Sequence, residues 1–159
     1  MSETNQRCPR CGVLIGQFAS MQVHQRTGVC AARALRADLR AAGWSPSAHI
    51  SNPIARNALR ASKVQPRREE TKYPGSEEMS EIWYPLWAMD AAHALVREST
   101  RRSLKVVDED DRIARSAARL LDALHADPQR RDAALATLRT SGDEAFVEYL
   151  AATGGEVLR

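Results

Sequence analysis

Long apolar runs are missing from this chain: a typical one, residues 83–89, spans a few positions and has Pro85 inside it. A membrane-spanning helix needs about 18–20 consecutive apolar residues, so no span and no membrane partner are expected. Residues 1–10 are polar and lack the apolar stretch and small-residue cleavage site of a secretory signal, which points to an intracellular protein. Catalytic signatures are equally scarce. The sequence contains no GxxxxGK[ST], GxGxxG or HExxH pattern, and no Ser or Cys stands in a patterned pairing with His49, His93 or His125. Asp108, Glu109, Asp110 and Asp111 are clustered, but without the glycines and ligand spacing of a calcium loop. No enzymatic activity is expected.

Lysine is also rare. Of 23 basic residues only Lys63, Lys72 and Lys105 are lysines, twenty are arginines, and alanine occurs 26 times. That bias fits a high-GC genome, a bacterium or its phage, and so the cytoplasm of a bacterial or phage-infected cell. The 159 residues, 43% hydrophobic and 27% charged, are ordinary for one folded domain or two small ones. A formal net charge of +3 hides an asymmetry: residues 1–68 carry 11 basic and two acidic side chains, whereas residues 69–159 carry 12 basic and 18 acidic. A basic half beside an acidic half suggests one part facing nucleic acid, DNA foremost, and another facing solvent or a protein partner. Arginine that merely solvates helices, or that meets an acidic protein surface, would produce the same count.

All three cysteines fall in the first thirty residues: Cys8 and Cys11 form a CxxC, followed after twelve residues by His24 and after five more by Cys30. Two thiolates on a tight turn plus an imidazole and a thiolate near a helix end can close a tetrahedron around Zn²⁺. The alternatives are a disulfide or free thiols. An odd number of cysteines cannot all pair, and a reducing compartment disfavours disulfides, so Cys8, Cys11, His24 and Cys30 are expected to bind zinc. So short a segment cannot build a core of its own, and a structural zinc supplies roughly 10–16 kcal/mol of apparent folding free energy.

Residues 7–30 resemble the ββα zinc finger in its CCHC variant. Ile15 stands four after the second Cys and Met21 three before the His, where that family places apolar residues, and Gly12 sits in the knuckle after Cys11. Gln6 stands where the family has an aromatic, Ile15 is smaller than the usual Phe, and no tandem-finger linker follows Cys30. The resemblance implies one finger whose base-contacting positions fall on Gln17, Ser20 and Val23, none of them the Arg that most often reads a base. A single finger covers about three base pairs, so it could equally dock a protein.

Beyond the finger the pattern is helical. Residues 31–42 are good helix formers that stop at Gly43; Arg33, Arg36 and Arg40 share one face beside Leu35 and Leu39. Asn52-Pro53 reads as a cap with proline in the first turn, opening a helix over residues 53–63 with Arg56, Arg60 and Lys63 on one face. With Arg26 these form the candidate nucleic-acid contacts. Residues 69–79 are polar and turn-forming and read as a linker. Met79, Ile82, Trp83, Leu86 and Trp87 follow helical spacing, with Pro85 either in a first turn or at a kink, and that helix should run through Met89, His93 and Val96 to about residue 102. The Trp83/Trp87 stripe suits a core or a homo-oligomer interface. A further helix over residues 110–125 should bury Ile113, Ala117, Leu120, Leu121 and Leu124; another should follow Asp127-Pro128 with Leu135 and Leu138 inward, ending near Gly142. A short last helix carries Phe146, Tyr149 and Leu150 and stops at Gly154-Gly155.

The expected protein is therefore mainly α: a zinc finger at 7–30, a basic helical segment at 31–68, a linker at 69–79 and an acidic helical bundle at 80–159 that folds without the finger. Its expected role is a nucleic-acid-associated regulator with a helical interaction domain. A structural or adaptor protein, such as a phage assembly or host-takeover factor whose zinc only stabilises the N-terminus, is the other reading.

Overall fold

The computed structural model describes residues 6–16, 20–69, 81–102 and 109–154. It is mainly α, with a few short strands. A two-stranded hairpin, β1 (Gln6–Arg7) and β2 (Leu14–Ile15), leads to α1 (Met21–Arg26) and α2 (Gly28–Ala41). Then come β3 (Trp44–Pro46), a 3₁₀ turn at Ser47–His49, α3 (Pro53–Ala61) and β4 (Arg67–Arg68). The chain continues with β5 (Ile82–Pro85), α4 (Leu86–Arg102), α5 (Glu109–Ala126) and α6 (Pro128–Gly154).

Local chemistry accounts for most helix limits. Gly43, with φ of +85°, follows α2 as the sequence suggested, in the left-handed conformation that lets a helix end without a Cβ penalty. Asn52 caps α3 by accepting from Ile54 N–H, and Asp127 caps α6 by accepting from Arg130 N–H. Gly142, at φ +88°, breaks α6 into the two helices expected on either side of it. Three acidic residues, Glu109, Asp110 and Asp111, occupy the first turn of α5, where the helix dipole favours them. None of the described helices is long and apolar enough to cross a membrane.

The strands overturn part of the helical reading. Ile82–Pro85 is not the start of a helix but the central strand of a three-stranded antiparallel sheet ordered β3-β5-β4. Trp44 pairs with Pro85 and Ser45 with Tyr84, while Trp83 lies between Pro46 and Arg67. Pro85 ends the strand, and the helix begins only at Leu86, whose N–H donates to Gly43 C=O at 2.8 Å. Period-2 alternation therefore replaces the 3-4 stripe: Tyr84 enters the helical core, Trp83 points to the opposite face at 1% exposure, and Leu86 is left exposed. Met79 lies outside the described residues, as do residues 70–79 of the expected linker.

A single core joins what composition divided. Ile50, Ala55, Ala58, Leu59 and Val64 pack with Tyr84, with Met89 and Leu95 of α4, with Ile113, Leu121 and Leu124 of α5, and with Phe146 and Leu150 of α6. Part of the basic segment at 31–68 thus shares a core with the bundle at 80–159, because α3 packs on α4 and α5 and β3 lies against α4. All five residues expected on the inner face of α5 are buried. Glu69, expected to open the linker, is instead 3% exposed. It accepts from Trp83 Nε1 at 3.0 Å and from two guanidinium nitrogens of Arg36 at 2.7 and 3.0 Å. With Arg40 over the Trp83 ring at 5.4 Å, α2 covers the sheet face opposite the helical core.

Candidate metal centre

The centre is built from two turns and two helix ends. After β1, Cys8 C=O accepts from Gly12 N–H and Cys8 N–H donates to Val13 C=O, both at 2.8 Å, so the CxxC closes into a knuckle. Gly12 sits in it at φ +74°, a conformation that disfavours residues with a Cβ. Arg10 Nη1 donates to Gln25 C=O at 3.0 Å and ties the knuckle to α1. His24 lies in the last turn of α1.

Cys30 reaches the centre by a route that its spacing did not reveal. The helix does not run on from His24; α1 stops at Thr27, and Cys30 lies in the first turn of the new helix α2. Thr27 serves both ends: its hydroxyl donates to His24 C=O at 2.7 Å and accepts from Cys30 N–H at 3.2 Å. The Thr27-Gly28 pair is a legible N-cap signal, since a threonine there satisfies an otherwise orphaned helix N–H. A hairpin followed by a short helix thus carries three of the four residues and a second helix the last, an arrangement compatible with a zinc-finger-like site.

The four donor atoms, Cys8 Sγ, Cys11 Sγ, His24 Nε2 and Cys30 Sγ, lie within 4.8 Å of one another. Cys8 and Cys30 sulfurs are 3.8 Å apart, and Cys11 Sγ is 3.1 Å from His24 Nε2. A tetrahedral zinc with Zn–S bonds of about 2.3 Å has S···S edges of about 3.8 Å, so the donor set fits that ion. None of the three cysteines is in a disulfide. Around them Ile15 is buried, with Cys11, Val13 and Met21 packed alongside, the apolar pair Ile15 and Met21 occupying the positions expected of them. Burial opposes the Cys8 thiolate, but the backbone N–H groups of Cys11 and Arg10 outweigh it and lower the thiol to about 6. Burial, then hydrogen bonding with Cys11 and Cys8, pushes Cys30 up to about 11. Neighbouring thiols thus resist joint ionisation, a conflict that a divalent cation in their midst removes.

The family models, the characterised proteins and the solved structures contain no match to this chain. What it can do rests on its own residues.

The basic candidates divide. Arg36 is held by Glu69, Arg40 lies over Trp83, and Arg56 Nη2 donates to Ile50 C=O at 2.8 Å. Arg26, Arg33, Arg60 and Lys63 are exposed, and their side chains make no hydrogen bond or ion pair among the described residues. The helical face read from Arg33, Arg36 and Arg40 is therefore only partly open to a ligand, because two of its members turn onto the sheet. Lys63 lies beyond α3, and its backbone N–H donates to Asp122 at 2.5 Å. Of the base-contacting positions implied by the resemblance, Ser20 caps α1, Val23 is exposed and Gln17 lies outside the described residues.

Proposed function

We propose that the chain binds one zinc ion through Cys8, Cys11, His24 and Cys30, and that zinc orders its N-terminal module in a nucleic-acid-associated regulator. The observation that carries the metal assignment is the convergence of three sulfurs and one imidazole nitrogen within 4.8 Å. Four protein donors leave no open coordination position, so the ion's role is structural rather than catalytic. Unpaired thiols belong to a reducing compartment, which suits the cytoplasm of a bacterial or phage-infected cell. Nucleic acid is the partner class favoured by the net charge of residues 1–68 and by the uncommitted Arg26, Arg33, Arg60 and Lys63. These contacts neutralise phosphates and are largely blind to sequence.

A specific observation favours a second reading, an adaptor. Leu14, Val23 and Val29 are 52%, 63% and 42% exposed, and all three belong to the zinc module. Apolar side chains so placed suit a protein surface better than a phosphate backbone. Metal analysis of the purified protein tests the first claim: one zinc per chain is expected, lost on Cys8→Ser with Cys11→Ser. A duplex-DNA titration across salt, with and without chelator, separates the readings, since the regulator predicts a steep salt dependence and the adaptor predicts no binding.

A further inference from the structure

The acidic half of the chain contains a basic feature that its net charge conceals. On α5, Arg112, Arg115 and Arg119 follow i, i+3, i+7 spacing and lie on one face. They line an open groove of about 460 Å³ with Ala118 and Asp122 of the same helix and Ala61 at the end of α3. The two alanines make the depression, since larger side chains there would fill it. Asp122 is engaged by the Lys63 backbone N–H, and Arg112 by Glu109. Arg115 and Arg119 are exposed and meet no acidic partner among the described residues.

Most other arginines of the same half have partners, Arg139 on α6 being a further exception among the described residues. Arg97 pairs with Asp143, Arg101 and Arg102 pair with Glu98, and Arg131 lies beside Asp132. Carboxylates outnumber cations from residue 69 onward, yet among the described residues none pairs with these two guanidiniums. We propose that the groove between α3 and α5 binds phosphate esters, with Arg115 and Arg119 as the contacting residues. Each guanidinium presents a planar fork that matches two phosphate oxygens. One helical turn separates the two residues, about 6 Å along the axis. Neighbouring phosphates of a strand or of a polyphosphate can therefore be held together. The strand form of the proposal rests on the nucleic-acid reading above; the free phosphate form does not.

The test uses the full-length, zinc-loaded protein in two arms. Anisotropy follows a labelled single-stranded oligodeoxynucleotide of mixed sequence across salt, and calorimetry follows pyrophosphate and a nucleoside monophosphate. Arg115→Ala with Arg119→Ala should weaken the oligonucleotide at least about tenfold. It should also flatten the logarithmic salt slope by about 1.4, two contacts at roughly 0.7 each. Circular dichroism should show no loss of helix, since alanine is the better helix former. Arg115→Lys with Arg119→Lys should keep the slope but lose affinity several-fold, because an ammonium lacks the fork. Binding of the small phosphates alone, abolished by the alanine pair, supports the groove and assigns it to a free phosphate ester while the nucleic-acid reading fails. Wild-type affinity for every probe in the alanine pair overturns the groove and leaves the nucleic-acid reading to the N-terminal arginines. Absence of binding to every probe by the unaltered protein overturns both.

Discussion

Residues 6–30 and residues 44–154 hold their shape by opposite means. The first region buries Cys8, Ile15 and Cys30, with a few apolar neighbours packed against them, far too little to offset the entropy of ordering two dozen residues. In place of a larger core, four side chains converge that could hold a metal ion. The second region buries the inner faces of α3, α4, α5 and α6 in one continuous hydrophobic cluster. Helix α2 belongs to both: Cys30 stands in its first turn, while Arg36 and Arg40 grip Glu69 and Trp83 two turns later. The comparison teaches that a short module can be ordered by coordination at one end of a helix while hydrophobic packing fixes the other.

Removing zinc should produce the largest effect and confine it to one region. Chelation forfeits roughly 10–16 kcal/mol of apparent folding free energy in the module. Amide exchange should therefore open residues 6–27 while α4–α6 stay protected; collapse of both together would break the distinction. Shortening the chain tests the same boundary from the other side. A chain beginning at residue 43 keeps the body's core and should unfold cooperatively. One beginning at residue 76 loses Ile50, Leu59 and Val64 with α3, and should melt without a sharp transition.

Within the body, Phe146→Ala should cost about 3–5 kcal/mol in denaturant unfolding, because the side chain is fully buried. Zinc affinity should not change. Glu98 supplies a smaller, pH-dependent effect. It is buried, and hydrogen bonds from Arg101, opposed by burial and aided by Arg102, hold its carboxyl down at about 2 against an ordinary 4.5. A depressed folded value stabilises the fold above the ordinary value, and the contribution fades as pH falls from about 4.5 toward 2. Glu98→Gln should cost about 1–3 kcal/mol at neutral pH and reduce the steepness of acid unfolding in that window. The smallest effect on stability is expected at Arg33. Its replacement by Ala should change stability by less than about 0.5 kcal/mol. If the nucleic-acid reading holds, it should still flatten the duplex salt slope by about one.

The legible features were those encoded locally. The convergence of Cys8, Cys11, His24 and Cys30 followed from local pattern, as did the cap at Asn52, the stop at Gly43, the break at Gly142 and the buried stripe of α5. The three-stranded sheet was not legible, because two to four residues are too few for alternation to compete with the helical spacing of Ile82, Trp83, Leu86 and Trp87. Nor was the inward turn of Arg36, whose partner lies 33 residues away at a position that composition assigns to a linker. The arginines of α5 repeat the spacing that drew attention to α2, yet they sit in a half whose net charge is negative.

Sequence by itself determined the donor set, most helix limits and the apolar face of α5, since each depends on residues a few positions apart. Tertiary structure decided that β5 is a strand, that α3 shares the core of α4–α6, and which arginines remain available to a ligand. Those outcomes depend on partners distant in the chain. Burial at Trp83 and Glu69 becomes favourable only when the sheet and α2 have closed over them.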